Sequence, residues 1–389
     1  MKKMNLGLLP RLVIGIIAGI LIGLYLPEWT GRMLYTFTHL FGQFLVFMVP
    51  LIIVGFIAAG IAELGAKAGK LLAGTAGLAY GSTVLAGVLA YFVSTGIIPM
   101  FITHGDVGEG ASGLTPFLEI STPPIFGVMT ALVTAFVFGL GINYLKQKEN
   151  RTTLFAWIDE FRSIIVLVIV KVIIPFLPIH IAGIFADMAA SGEAFQTLAV
   201  FARVFAVIIG THFLWILTQY TIAALRTGTN PFRAIRGMLP AYTTALGTMS
   251  SAATIPVTLQ SVKSIGVSER TAEFVVPLSA TIHLAGSTIT LVACSVAVLI
   301  LNGITPEFGI FLQFILLLGV TMIAAPGVPG GAVVAAIGLM ASVLGMTDAQ
   351  LGLMFALYMA QDGFGTACNV TGDGAISLMV DSMDTTPEA

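Results

Sequence analysis

Two carboxylates and two further polar side chains recur at helical spacing inside a long apolar stretch near the C-terminus. They are Asp362, Thr366, Asn369 and Asp373, within the segment Leu351–Val380. About 20 apolar residues suffice for a helix to cross a bilayer, so this segment predicts a membrane helix. At about 100° per residue, these four positions fall within an arc of about 60°. The sequence therefore predicts a membrane helix with one polar face.

The two acids on that face need a partner. A carboxylate at the centre of a bilayer costs about 3 kcal/mol on insertion scales, so it normally faces a ligand, an ion or another polar group. No lysine or arginine follows Arg270 in the sequence. Because no later basic side chain can pair with Asp362 or Asp373, we expect their partner to be an exogenous cation.

Composition places the whole chain in a membrane. Of its 389 residues, 57% are hydrophobic and 9% are charged, whereas soluble domains have about 25% charged residues. The net charge of −2 and the lack of a basic cluster indicate no nucleic-acid partner. Cys294 and Cys368 both lie in apolar segments and indicate no disulfide framework. The sequence predicts an all-α polytopic membrane protein.

The spans follow from the apolar runs and the charges between them. Lysine and arginine cluster in alternate connections, which by the positive-inside rule gives cytoplasmic termini if two interrupted apolar stretches enter and leave on one side. Those stretches, at about 235–264 and 308–345, are therefore predicted to be re-entrant. The eight predicted spans are about 8–27, 36–62, 70–101, 124–145, 154–183, 195–225, 271–303 and 349–381.

The two interrupted stretches have the composition of helical hairpins. The first contains a hydroxyl cluster ending at Pro256, and the second, Ile323–Ala332, contains two prolines and three glycines. Irregular backbone at membrane depth survives only where it is buried in protein or lines a cavity. Each hairpin is followed by a span with polar groups, which is the pattern of an inverted repeat with a binding site where the hairpin tips meet.

Four motifs carry a resemblance to a known family. They are N-V-T-G-D at 369–373, S-S-A-A-T-I-P-V at 250–257, P-L-S-A-T-I-H-L-A-G-S at 277–287 and A-P-G-V-P-G at 325–330. In this order they resemble the dicarboxylate/amino acid:cation symporters, which have the glutamate-transporter fold. The resemblance implies a homotrimer in which a transport domain moves like an elevator against a scaffold. It divides the chain into scaffold residues 1–65 (helices 1–2), transport helix 3 at 66–101, scaffold residues 102–190 (helices 4–5) and transport residues 191–389, with hairpin 1 at about 230–264 and hairpin 2 at about 308–345.

The same resemblance assigns roles to individual residues. It places the substrate's amino group on Asp362 and its α-carboxylate on Asn369. The other implied substrate-binding positions are Ser250, Ser251, Ser287, Gly365, Thr366 and a gate at Gly327, Val328 and Pro329. The implied sodium ligands are Tyr80, Thr83, Ser279, His283, Asn369 and Asp373.

Departures from the family pattern indicate the substrate. Acidic amino acid carriers have an arginine for the substrate's second carboxylate, and its two family locations are here Gly365 and Met249. An unpaired buried carboxylate costs several kcal/mol. We therefore expect a small neutral amino acid such as alanine, serine or threonine.

Other departures concern the coupling ions. Ala285 replaces an acid that helps hold one sodium ion in the family, and neutral oxygens alone bind a hard cation weakly. We expect fewer sodium ions than in acidic amino acid carriers. His283 occupies the place of an asparagine; its imidazole could carry a proton as a coupling ion, although the sequence offers it no evident acid partner.

The leading interpretation is a sodium-coupled symporter in the inner (plasma) membrane. Alternatives are an obligate exchanger of neutral amino acids, a symporter of acidic amino acids or dicarboxylates, and an anion channel. An intramembrane hydrolase is disfavoured because Asp362 and Asp373 lie about 16 Å apart along the helix and His283 lacks an evident orienting acid. No enzymatic activity is expected.

Overall fold

The computed structural model describes residues 8–63, 69–101, 113–192, 194–323, 325 and 329–383, and these contain helices and no strand. The first eight helices are α1 (Leu8–Tyr25), α2 (Glu28–Ile53), α3 (Ala59–Glu63), α4 (Gly69–Ile97), α5 (Val128–Lys148), α6 (Thr153–Val168), α7 (Ile174–Ala190) and α8 (Ala194–Thr227). The remainder are α9 (Pro231–Gly237), α10 (Leu239–Thr248), α11 (Ser251–Ser264), α12 (Glu269–Ile282), α13 (Ala285–Leu301), α14 (Phe308–Ile323), α15 (Gly331–Val343) and α16 (Asp348–Asp381). Single π-helical turns, Val54–Ala58 and Ile169–Ile173, join α2 to α3 and α6 to α7.

Several helices have the length and composition of membrane spans. Five helical stretches among the described residues qualify: Glu28–Ala62, Gly74–Met100, Thr153–Ala190, Leu198–Thr227 and Glu269–Leu301. They correspond to predicted spans two, three, five, six and seven. The prediction of an all-helical, polytopic membrane protein is confirmed at this level, while the count of eight spans stays a prediction.

Glycines allow α1 to lie directly against α7. Gly15, Gly19 and Gly23 recur every four residues on one face of α1. A Cβ at Gly19 would lie 2.1 Å from the carbonyl oxygen of Ala182, and one at Gly23 would lie 2.3 Å from that of Ala186. No larger residue fits these positions. Such stripes of small residues let membrane helices approach closely.

The helices form two groups by their packing. In the first group, α1, α2, α5, α6 and α7 pack on one another. In the second group, α13 and α16 lie at the centre, and the helices around them are α4, α8, α10, α11, α12, α14 and α15. Contacts between the groups run mainly from α15 to α2 and from α16 to α7. The long polar-faced helix α16 therefore lies where the second group is centred and also touches the first.

The first interrupted stretch is a pair of packed helices, α10 and α11. The chain reverses at Met249, whose φ of 51° is left-handed, and at Ser250. Ser250 begins α11 as its N-cap, since its Oγ accepts a hydrogen bond from the Ala253 amide at 3.2 Å. Pro256 lies inside α11, so the break comes several residues before the proline that the sequence pattern emphasised.

The second interrupted stretch consists of α14 and α15 and the break between them. Within the break, Ala325, Pro329 and Gly330 are described, and Gly330 has a φ of +75° that favours glycine. The predicted gate residues Gly327 and Val328 lie outside the described residues.

Predicted span seven is a broken helix. The backbone is non-helical at His283 (φ −111°, ψ 94°) and Leu284 (φ −119°, ψ 48°), between α12 and α13. The sequence predicts one continuous span at about 271–303, because no proline or glycine pair stands at the break. Each new helix end leaves backbone groups without intrahelical partners in the middle of the protein.

Candidate functional site

A small cavity lies where the two interrupted stretches, the break in span seven and α16 meet. Its empty volume is about 330 Å³, including space open to solvent. The residues that line it are Met249, Ser250, Ser251, Ala280, Leu284, Ser287, Ala325, Ala332, Tyr358, Asp362, Thr366 and Asn369. Among these described lining residues, Asp362 is the one charged side chain. Most of the predicted substrate-binding positions are thus neighbours in space.

The polar stripe on α16 forms one wall. A capping box of Thr347 and Gln350 begins the helix, which then presents Asp362, Thr366 and Asn369 to the cavity. The carboxylates are deeply buried, with Asp362 4% exposed and Asp373 1% exposed. Their burial means that each must be matched by hydrogen bonds or by a cation.

Asp362 is tied to the second interrupted stretch. Its Oδ2 accepts a hydrogen bond of 2.7 Å from the backbone amide of Gly330. Tyr358, one helical turn earlier on α16, also lines the cavity. Tyr358 is not among the predicted site residues, although its spacing of four residues from Asp362 places it on the same face.

Asn369 stabilises the break in span seven. Its Oδ1 accepts hydrogen bonds from the amides of Gly286 (2.7 Å) and Ser287 (3.2 Å), and its Nδ2 donates to Ser287 Oγ at 2.9 Å. The side chain thereby satisfies the free N-terminus of α13. An amide nitrogen has two N–H groups, so one donor of Asn369 remains for a ligand in the cavity.

The predicted residues of the first hairpin line the cavity, whereas the described gate residue of the second hairpin does not. Ser250 and Ser251 line the cavity at the N-terminus of α11, where the helix dipole and free amides favour an anionic group. Pro329, the described member of the predicted gate, is not among the lining residues.

The two positions lacking arginine also differ. Met249 lines the cavity, whereas Gly365 does not. A Cβ at Gly365 would lie 3.4 Å from Thr290 Oγ1 and 3.5 Å from the Ser287 Cα. Position 365 therefore borders α13, and a side chain there would first meet that helix.

Asp373 lies outside the cavity lining and is paired with His283. The Nδ1 of His283 lies 2.8 Å from Asp373 Oδ1, and both side chains are buried. The expectation that His283 lacks an acid partner is therefore wrong. It failed because these residues stand 90 positions apart in the chain and meet only when α12 packs on α16.

Two further polar residues, both missed by the sequence analysis, join this pair. Ser82 Oγ lies 2.8 Å from His283 Nε2 and accepts a hydrogen bond of 2.7 Å from Gln219 Nε2. Gln219 is a buried amide in α8. A polar amide inside a long membrane helix was the available signal.

Several oxygens near this pair are suited to a hard cation. Within the described part of the chain, Asp373 Oδ2 and Ser279 Oγ are buried without a hydrogen-bond partner. Ser279 lies in the last turn of α12; its carbonyl accepts from the His283 amide, and the carbonyls that follow it lack the next turn of an intrahelical partner. Carboxylate, hydroxyl and carbonyl oxygens are the ligands that alkali and alkaline-earth cations prefer. The donor set fits a sodium ion.

Two predicted sodium ligands on α4 donate their hydroxyl hydrogens to backbone carbonyls; their oxygen lone pairs are not used by these bonds, and their role as ligands stays a prediction. The hydroxyl of Tyr80 donates to the carbonyl of Leu316 on α14 at 3.2 Å. The hydroxyl of Thr83 donates to the carbonyl of Ala79 in its own helix at 2.8 Å. The structure thus brings together Ser279, His283 and Asp373, and directs the hydroxyls of Tyr80 and Thr83 to backbone carbonyls.

Ser82, His283 and Asp373 are hydrogen-bonded in the same arrangement as the serine, histidine and aspartate of a hydrolase triad. The argument against a hydrolase that His283 lacks an orienting acid therefore no longer holds. None of the three side chains lines the cavity, however. A substrate in the cavity would not reach the Ser82 hydroxyl.

Long apolar helices surrounding a buried polar cavity define a membrane protein with an internal site for a small charged or polar solute. The chain belongs to the sodium:dicarboxylate symporter family, which it matches over residues 8–383. It is 26% identical over 395 aligned positions to a serine/threonine transporter of Enterococcus faecalis, SstT, and the match covers 98% of this chain and 92% of that protein. Its relatives are transporters.

Proposed function

We propose that the protein is a sodium-coupled symporter of a small neutral amino acid of the alanine, serine and threonine class. The observation that carries this proposal is the charge of the cavity. Asp362 supplies one negative group for an ammonium, and no basic side chain stands among the described lining residues to hold a second carboxylate. The name of the E. faecalis relative supports the same class.

The substrate's polar groups have separate partners. The ammonium binds Asp362, because a buried ammonium needs a carboxylate. The α-carboxylate lies between the amide of Asn369 and the first turn of α11 at Ser251, where N–H donors point at the cavity. Met249 and Ala332 then border the side chain.

Sodium is the coupling ion. Asp373 Oδ2, Ser279 Oγ and the carbonyls that end α12 supply oxygen ligands. With Ala285 at the start of α13, a second acid is missing from the region, so the protein carries fewer sodium ions than acidic amino acid carriers do.

Transport follows an elevator mechanism in a homotrimer with eight spans and two re-entrant hairpins. Two groups of helices, packed within themselves and joined mainly through α15 and α16, support a scaffold and a moving domain. The protein lies in the plasma membrane with cytoplasmic termini, in accord with the distribution of lysine and arginine.

The test is uptake into proteoliposomes. Labelled alanine, serine, threonine and aspartate are offered with an inward sodium gradient and without one. We expect net accumulation of the neutral substrates only with the gradient. Aspartate transported best would overturn the substrate class. Uptake that requires internal amino acid identifies an exchanger, and substrate-independent anion current identifies a channel.

A further inference from the structure

A chain of hydrogen bonds leads from α8 to the carboxylate of Asp373. Gln219 Nε2 donates to Ser82 Oγ at 2.7 Å, Ser82 Oγ lies 2.8 Å from His283 Nε2, and His283 Nδ1 lies 2.8 Å from Asp373 Oδ1. Four separate elements contribute: α8, α4, the break after α12, and α16. Gln219, His283 and Asp373 are buried.

The donors in this chain all point toward Asp373. An ionised carboxylate only accepts hydrogen bonds, so His283 Nδ1 carries the hydrogen. Its Nε2 then accepts from the Ser82 hydroxyl, and Ser82 in turn accepts from the Gln219 amide. Gln219 Nε2 also lies 3.3 Å from His283 Nε2, which agrees with an accepting nitrogen there.

Close packing at a glycine builds this arrangement into the fold. Gly372 precedes Asp373, and a Cβ at Gly372 would lie 2.7 Å from both Gln219 Oε1 and His283 Cε1. Any larger residue would push these two side chains away from α16. The approach of Gln219 and His283 to Asp373 is thus built around a backbone position without a side chain.

The hydrogen-bond chain leaves the two carboxylate oxygens of Asp373 in different surroundings. Oδ1 is held by His283, while Oδ2 is buried and has no hydrogen-bond partner among the residues that the structure describes. A carboxylate fixed through one oxygen cannot rotate freely, so its other oxygen has one direction in which to meet a cation.

We propose that Gln219, Ser82 and His283 are positioning residues that orient Asp373 for sodium, with His283 acting through its hydrogen bond rather than as a sodium ligand. This inference rests on the proposed sodium coupling. Hydrogen-bond partners that orient a cation's ligands typically change its affinity by about 10- to 100-fold when removed. Gln219 and Ser82 then set the sodium affinity without being ligands themselves.

The test measures sodium binding without transport. Purified protein is titrated with sodium chloride at constant ionic strength, balanced with choline chloride, and the unfolding temperature is followed. We expect Ser82→Ala and Gln219→Leu each to weaken the apparent sodium affinity by about 10-fold. Their unfolding temperatures without sodium should stay near that of the unaltered protein.

Two comparison variants separate positioning from a general structural effect. Ser82→Thr keeps the hydroxyl and should bind sodium like the unaltered protein. Ser295→Ala removes another buried serine hydroxyl, one that contacts Met354 Sδ at 3.9 Å, and should leave sodium affinity unchanged. Normal sodium affinity in both Ser82→Ala and Gln219→Leu would overturn the inference, as would equal losses in Ser82→Thr and Ser82→Ala. An unaltered protein without sodium-dependent stabilisation would overturn sodium coupling itself.

Discussion

The backbone amide of Gly330 donates a hydrogen bond of 2.7 Å to Oδ2 of Asp362. This contact joins the second interrupted stretch to the one charged side chain among the described residues that line the cavity. An ammonium and the Gly330 amide bind the same carboxylate, and the amide holds it in place through Oδ2. Substrate binding and the position of this stretch are therefore linked through two residues.

Replacing Asp362 should abolish amino acid binding. In Asp362→Asn the neutral amide cannot offset a desolvated ammonium, so the loss should be at least about 3 kcal/mol. Calorimetric titration of the purified variant with serine measures it. Asp187→Asn is the control, since Asp187 is a half-buried acid that accepts from the Leu114 amide far from the cavity. Near-normal serine affinity in Asp362→Asn would exclude the role assigned to this residue.

Gly330→Ala should weaken substrate binding. The φ of +75° strains any residue with a Cβ, at about 1 kcal/mol, and here that Cβ would lie 2.8 Å from Met359 Sδ. Gly345→Ala is matched, because Gly345 has a φ of +67° and open space around its Cβ. Both variants should lower the unfolding temperature, and only Gly330→Ala should lower serine affinity. Equal serine affinities would show that the Gly330 contact does not matter for binding.

An arginine at position 249 should shift selectivity toward acidic amino acids more than one at position 365. Met249 lines the cavity, whereas a side chain at Gly365 first meets α13. A guanidinium at position 249 can pair with a carboxylate through two hydrogen bonds. Inhibition of serine uptake by aspartate is measured in Met249→Arg and Gly365→Arg. Stronger inhibition in Gly365→Arg would reverse our assignment of which position faces the substrate side chain.

The number of coupled sodium ions should be lower than in acidic amino acid carriers, and Ala285→Asp should raise it. Ala285 is the first residue of α13, where an acid is also favoured by the helix dipole. Reversal potentials of serine flux at several imposed sodium gradients give the number. An unchanged reversal potential in Ala285→Asp would argue against a missing ligand at this position.

Flux should not be driven by protons. The pairing of His283 with Asp373 favours a charged imidazole, but Nε2 already accepts from the Ser82 hydroxyl, so a proton could enter there only if that hydrogen bond were broken. The same reversal potentials are measured with imposed pH gradients at a fixed sodium gradient. A reversal potential that follows pH would make His283 a coupling residue, and its loss in His283→Asn would confirm that origin.

Local sequence patterns predicted much of the site. The polar stripe of Asp362, Thr366 and Asn369 follows from the helical period alone, and all three residues line the cavity. The interrupted stretches followed from hydroxyl, proline and glycine clusters, because these residues cannot sit inside a membrane helix without compensation. Gly365 and Met249 were recognised as positions without arginine through the resemblance to the family, not through a local pattern.

Other features required the folded chain. The break at His283 and Leu284 has no proline to mark it. The break leaves backbone amides free at the start of α13, and the side chain of Asn369, over 80 positions away, accepts hydrogen bonds from two of them. Ser82 meets His283 across 201 positions. That Met249 lines the cavity while Gly365 borders α13 depends on how the helices pack.

The division has a physical reason. Apolar length and helical period act through the insertion and twist of one segment, so the sequence alone determined the all-helical membrane class and the polar face of α16. Hydrogen-bond partners depend on the distance and rotation between helices that are remote in sequence. Only the packing of α4, α8, α12 and α16 decided that Asp373 meets His283 and that its Oδ2 has no hydrogen-bond partner among the described residues.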